Sequence, residues 1–139
     1  MREILFRAKR LADRKWTYGD FTEVVGDCPR ILSNEDVTMY AVIPKTVGQY
    51  TGLKDKNGNK IFEGDIVKCT ATNVDCTFTA VVLFGNSNGE YNWGFQLVRI
   101  SGANANTDIL LWVDREETGA FIEVIGNIYD NPELIREEV

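Results

Sequence analysis

Short apolar and β-branched runs, broken by turn clusters, set the pattern of this chain, and helical periodicity is almost absent. That pattern predicts a mainly β protein. The first run, Ile4 to Ala8, puts Ile4, Phe6 and Ala8 on one face of a strand. A turn over Lys9 to Arg14 leads into Lys15-Trp16-Thr17-Tyr18, so an N-terminal β-hairpin is expected. Val24-Val25 stops at the Gly26-Asp27 turn signal, and Arg30 to Leu32 reads as a short strand. Val37 to Ile43 is a stronger one, ended by Pro44.

Residues 44–60 read as a long loop, because three Gly and a Pro break any regular pattern. Asn57-Gly58 marks a tight turn, since both residues tolerate positive φ. Two readings stay open for this segment. It is a functional loop, or it is a crossover that packs Tyr50 and Leu53 over one end of a barrel.

Five strand candidates follow: Ile61 to Cys69, Thr77 to Phe84, Tyr91 to Ile100, Ile109 to Val113 and Phe121 to Ile128. Gly64 and Gly94 interrupt two of them and suit bulges or sharp bends. Five strands on short loops predict a small SH3-like barrel. At the end, Asn131 as cap, Pro132 in the first turn and Glu133 beside it predict a helix of one to two turns, from Pro132 to about Glu138. The expected layout is a single domain: an N-terminal β subdomain over 1–46, a crossover loop over 47–60, a barrel lobe over 61–130 and a short helix over 131–139.

Composition narrows the chemistry. With 44% hydrophobic and 26% charged residues in 139, the chain is an ordinary folded one. It has no His, which removes imidazole catalysis and the commonest transition-metal ligand. Its three Cys, Cys28, Cys69 and Cys76, match neither a redox pair nor a zinc spacing and read as reduced thiols. No apolar run reaches a membrane-spanning length of about 18 residues, and the N-terminus lacks the apolar core of a secretory signal. A soluble, non-membrane protein is expected.

The net charge of −6 is unevenly spread. Residues 1–15 hold Arg2, Arg7, Lys9, Arg10, Arg14 and Lys15 against Glu3 and Asp13, which is +4 and leaves −10 for the remainder. An acidic body disfavours broad binding to nucleic acid and confines any phosphate contact to the first hairpin.

Catalytic constellations are weak. Glu63 and Asp65 flank Gly64, and Asp65 reads as an acceptor for backbone amides of the preceding turn. Asp114-Arg115-Glu116-Glu117 lacks the alternating ligands of a calcium loop. Gly48-Gln49-Tyr50-Thr51-Gly52 lacks the ending of a phosphate loop. No cofactor, metal or catalytic residue is expected. Aromatics are the remaining resource, and Trp16 and Tyr18, beside the basic start, stand out.

Three stretches resemble the YopX family of phage and prophage proteins. They are Arg2 to Ala8 with Lys15-Trp16-Thr17-Tyr18-Gly19-Asp20, then Val47 to Gly58 running through Ile61-Phe62-Glu63-Gly64-Asp65-Ile66-Val67, and Glu123 to Leu134. Lys9-Arg10-Leu11 departs from the pattern, where an aromatic is common, and residues 70–120 show no match. The resemblance implies a phage or prophage source, a mainly β fold and the cytoplasm of a bacterial host. It brings no catalytic residues.

The reading is a non-enzymatic accessory protein that acts by binding a protein partner or by self-assembly. Its candidate surfaces are the 47–58 loop, with Gln49, Tyr50 and Lys54, and the N-terminal hairpin. The alternatives are a nucleic-acid-binding regulator using Arg7, Lys9, Arg10, Trp16 and Tyr18, and a structural homo-oligomer subunit.

Overall fold

Alternating burial along short segments produces antiparallel strands throughout the computed structural model, which describes residues 4–23, 29–72, 76–84, 95–99, 107–108 and 119–135. The chain divides into two units, Met1–Gly52 and Leu53–Val139.

The first unit holds β1 (Phe6–Lys9), β2 (Trp16–Glu23), β3 (Pro29–Ser33), β4 (Met39–Ala41) and most of β5 (Gly48–Lys54). Their sheet order is β4-β3-β2-β1-β5. The predicted hairpin is present, with Arg7 opposite Tyr18 and Lys9 opposite Trp16. Ala8, Ile31 and Val42 are fully buried on one face, with Phe6 and Val47 packed against them. Phe6 and Phe21 meet there, ring centroids 5.5 Å apart.

The second unit contains β6 (Lys60–Phe62), β7 (Asp65–Ala71), β8 (Cys76–Phe84), β9 (Phe95–Arg99), β10 (Thr107–Asp108) and β11 (Ala120–Asn127). β6 is the neighbour of β5, whose last residues, Leu53 and Lys54, lie in this unit. The other five strands run in the order β10-β9-β8-β7-β11. One face of this sheet is the core: Val67, Cys69, Phe78, Ala80, Val82, Leu97 and Ile122 are buried together with Ile61. Burying each of the Val, Leu, Ile and Phe side chains contributes roughly 1.5–3 kcal/mol. Cys69 is buried inside that cluster, where it packs as a small apolar filler.

Two expectations are corrected, and that of the barrel is met only in part. Residues 44–60 are not one loop, because 48–54 form β5 and 60–62 form β6. The three Gly do not break the ladder: Gly48 is buried opposite Arg7, where a small residue fits, and Gly58 takes its φ of 83° inside the turn. Among the described residues no closed SH3-like barrel is found, and β10 and β11 are the two ends of the strand order. The outward backbone of β11 is occupied by the 55–56 segment, so it is not offered to β10. At the end of the chain, Pro132–Ile135 is a single 3₁₀ turn, not an α-helix. Asn131 does not cap it. Its Oδ1 accepts the Asn127 amide at 3.2 Å instead.

Gly64 is the turn between β6 and β7, at φ 93°, so Ile61 to Cys69 is two strands. The expected strand Ile109 to Val113, with Trp112, lies outside the described residues, as do Trp93 and Gly94.

Candidate functional site

Successive strand residues point to opposite faces, so register decides which candidate residues meet. Arg7 and Lys9 of β1 share a face with Trp16 and Tyr18 of β2. This is the face opposite the Ala8–Ile31–Val42 cluster. The Arg7 guanidinium carbon lies 4.5 Å from the centroid of the Trp16 ring, and Lys9 Nζ lies 5.5 Å from it. Two cations over one indole contribute about 0.5–1 kcal/mol each where exposed. Arg7 is buried, at 6% exposure, and forms a floor beneath the indole, while Lys9, Trp16 and Tyr18 are half-exposed.

Register extends this face across β3 and β4. Asp20 pairs with Leu32, which pairs with Met39, and Thr22 pairs with Arg30. Trp16, Tyr18, Leu32 and Met39 therefore lie on one side of the sheet, with Lys9, Arg30 and Asp20 among them. Met39 is 45% exposed, and Arg30 and Asp20 are exposed. Aromatics, Met and Arg on one surface, with few carboxylates, are the composition of protein-binding patches. Sequence reasoning missed Arg30, Leu32 and Met39. Their period-two parity was visible, but the pairing of β2 with β3 and β4 was not.

Arg10 is separated from the other basic candidates. It falls on the opposite face, its guanidinium carbon 3.9 Å above the Tyr40 ring and its Nη1 3.4 Å from Asp13. The Tyr40 hydroxyl donates to the Asp36 carboxylate, which holds that acid below its ordinary range.

The proposed 47–58 surface is dispersed by the structure. Gln49 pairs with Phe6 and so lies on the apolar side of β5, whereas Tyr50 lies on the other side and is only 4% exposed. The Tyr50 amide donates to the Leu5 carbonyl at 2.7 Å. Lys54 is exposed at the end of β5, in the second unit. Within the second unit, the same stretch supplies a structural hub at Asp55. Asp55 Oδ1 accepts the amides of Asn57 and Asn59 at 2.9 and 2.8 Å, and Oδ2 accepts the Val124 amide at 3.0 Å.

Other resemblance-bearing residues serve the same scaffold. Asp65 Oδ2 accepts the Phe62 amide at 2.7 Å, the role expected of it, and Asp65 is buried. The Gly64 carbonyl accepts the Ile128 amide at 3.0 Å. Asn127 Oδ1 takes the amides of Tyr129 and Asp130. Among the described residues no group of three or more His, Cys, Asp or Glu is placed to hold a metal, and no helix is long and apolar enough to cross a membrane.

The family model of the YopX protein matches residues 5–136, so the chain belongs to the YopX family. Among curated proteins, none matches the chain. A crystal structure of protein EF1440 from Enterococcus faecalis is similar, at a TM-score of 0.53 and 20% identity, covering 98% of this chain and 100% of that one. At that identity the likeness speaks for the fold.

Proposed function

We propose that this YopX-family protein is a non-catalytic accessory protein of a phage or prophage. It works in the cytoplasm of the bacterial host by binding a protein partner or a second copy of itself. One observation carries the reading: Trp16, Tyr18, Leu32 and Met39 occupy one face of the first sheet, with Lys9 and Arg30 beside them. Aromatic anchors supply buried area on docking, and the rim cations select an acidic counterpart. The chain carries such a counterpart, since its residues after 15 total −10. Catalysis finds little support. Among the acids discussed, Asp55 and Asp65 are engaged by backbone amides.

The test is capture from nuclease-treated lysate of prophage-induced cells, together with sedimentation of the purified protein over a range of concentrations. The Trp16→Ala, Arg30→Glu double variant should lose a captured protein, or lose the self-association, seen with the wild type. Retention of every partner and of the same oligomeric state by the folded variant refutes the reading.

A second reading is nucleic-acid binding, favoured by the placement of Arg7 and Lys9 over Trp16. It expects a gel shift at low salt that weakens steeply as salt rises. No shift at low salt removes it.

A further inference from the structure

Among the described strands β11 stands at the end of its sheet, and an edge strand presents backbone groups on which another strand can add. In an antiparallel ladder alternate residues turn their N–H and C=O away from the partner. On β11 the outward bonds run to the 55–56 segment. The Ile122 carbonyl accepts the Lys56 amide at 3.0 Å, and the Val124 amide donates to Asp55 Oδ2 at 3.0 Å. These are the two bonds that a parallel neighbour would make around Glu123, with Lys56 as the paired residue. The Asp55 carboxylate stands where the Lys56 carbonyl would be.

The side chains follow the same pairing. Lys56 Nζ lies 3.4 Å from the Glu123 carboxylate and 4.5 Å from the centroid of the Phe121 ring. Asn57 Nδ2 adds a contact to Glu123 at 3.4 Å. The segment so covered is Phe121-Ile122-Glu123-Val124-Ile125, five residues rich in strand formers with a single charge, and Ile125 is 38% exposed. Such a run on an open edge is a site of chain-to-chain pairing.

We propose that the 55–59 turn is an intramolecular edge guard. It holds the outer edge of β11 in strand-like bonds, and opening it converts that edge into a docking site for a second copy of this chain. The guard differs from a passive turn in that it uses a carboxylate to imitate the backbone of a strand.

Hydrogen exchange and sedimentation velocity test this on the full chain. In the wild type the Val124 amide should be protected, and in Asp55→Ala it should exchange at least tenfold faster. The same variant should shift to dimers or larger species as concentration rises, relative to the wild type. Adding Ile125→Lys should restore wild-type sedimentation, because a charge on an edge blocks pairing. Lys56→Pro removes the amide bonded to Ile122 at a turn position that suits Pro, and should associate in the same way. It decides the matter if Asp55→Ala does not fold. Wild-type sedimentation of a folded guard variant, or association that Ile125→Lys leaves unchanged, overturns the proposal.

Discussion

Asp55 takes the main-chain amide of Val124 at 3.0 Å, although 69 positions separate the two. Burial, the largest single influence on the Asp55 carboxyl, would by itself raise its pKa. The amides of Val124, Asn59 and Asn57, with the Asn59 side chain, outweigh it and hold the pKa below the ordinary 3.8. A carboxylate with a depressed folded-state pKa stabilises the fold above its unfolded value of about 3.9, and that share is lost as pH falls through the folded value. Urea midpoints of the wild type should therefore exceed those of Asp55→Asn at pH 6, with the gap narrowing as the pH is lowered below 3.8. A gap that does not change with pH would contradict this.

Gly19 and Gly126 are needed for space. A Cβ on Gly19 would lie 1.8 Å from the Leu32 carbonyl oxygen, which is backbone and cannot swing away. A Cβ on Gly126 would lie 2.5 Å from Asn131 Oδ1, a side-chain atom that can rotate at the loss of its bond to the Asn127 amide. Overpacking costs about 1–3 kcal/mol and occasionally more. Gly19→Ala should reach or exceed the top of that range and Gly126→Ala should fall within it, read by denaturant unfolding. Equal, small losses at both positions would refute the contrast.

Val37 sits at φ 55° with its side chain 77% exposed. A β-branched residue in the left-handed region carries strain of about 1–2 kcal/mol, and here no burial offsets it. Val37→Gly should raise the thermal midpoint despite the added freedom of the unfolded chain. A lower midpoint would show that the side chain contributes more than the strain costs.

Tyr50 and Lys54, four residues apart on β5, should respond differently to truncation. Tyr50→Ala empties a buried site and should cost roughly 3 kcal/mol or more. Lys54→Ala removes an exposed side chain and should stay within about 0.5 kcal/mol. Chemical denaturation of both variants checks this, and a comparable loss at the two positions would sink it.

Most of the described strands outside 44–60, the N-terminal hairpin and the Asn57-Gly58 turn were legible in the sequence, because β-branched alternation and a positive-φ Gly act locally. So were the missing imidazole and the separation of a basic start from an acidic remainder. The Asp65 cap was legible too, since its acceptor and donor lie three residues apart. Within 44–60, local turn signals hid β5 and the start of β6, and for β5 the β1 amides and carbonyls that hold it are some forty residues away. The candidate face was half legible. Arg7, Lys9, Trp16 and Tyr18 meet through a short hairpin, whereas Leu32, Met39 and Arg30 join them only through the β2–β3–β4 register.

The sequence by itself determined that this chain is built of short antiparallel strands and which residue types it has for chemistry. Only the tertiary structure decided that Arg10 leaves the basic cluster, that Tyr50 is buried, and that Asp55 closes the edge of β11. Each depends on a partner far along the chain, Tyr40 for Arg10, Leu5 for Tyr50 and Val124 for Asp55, which local patterns do not specify.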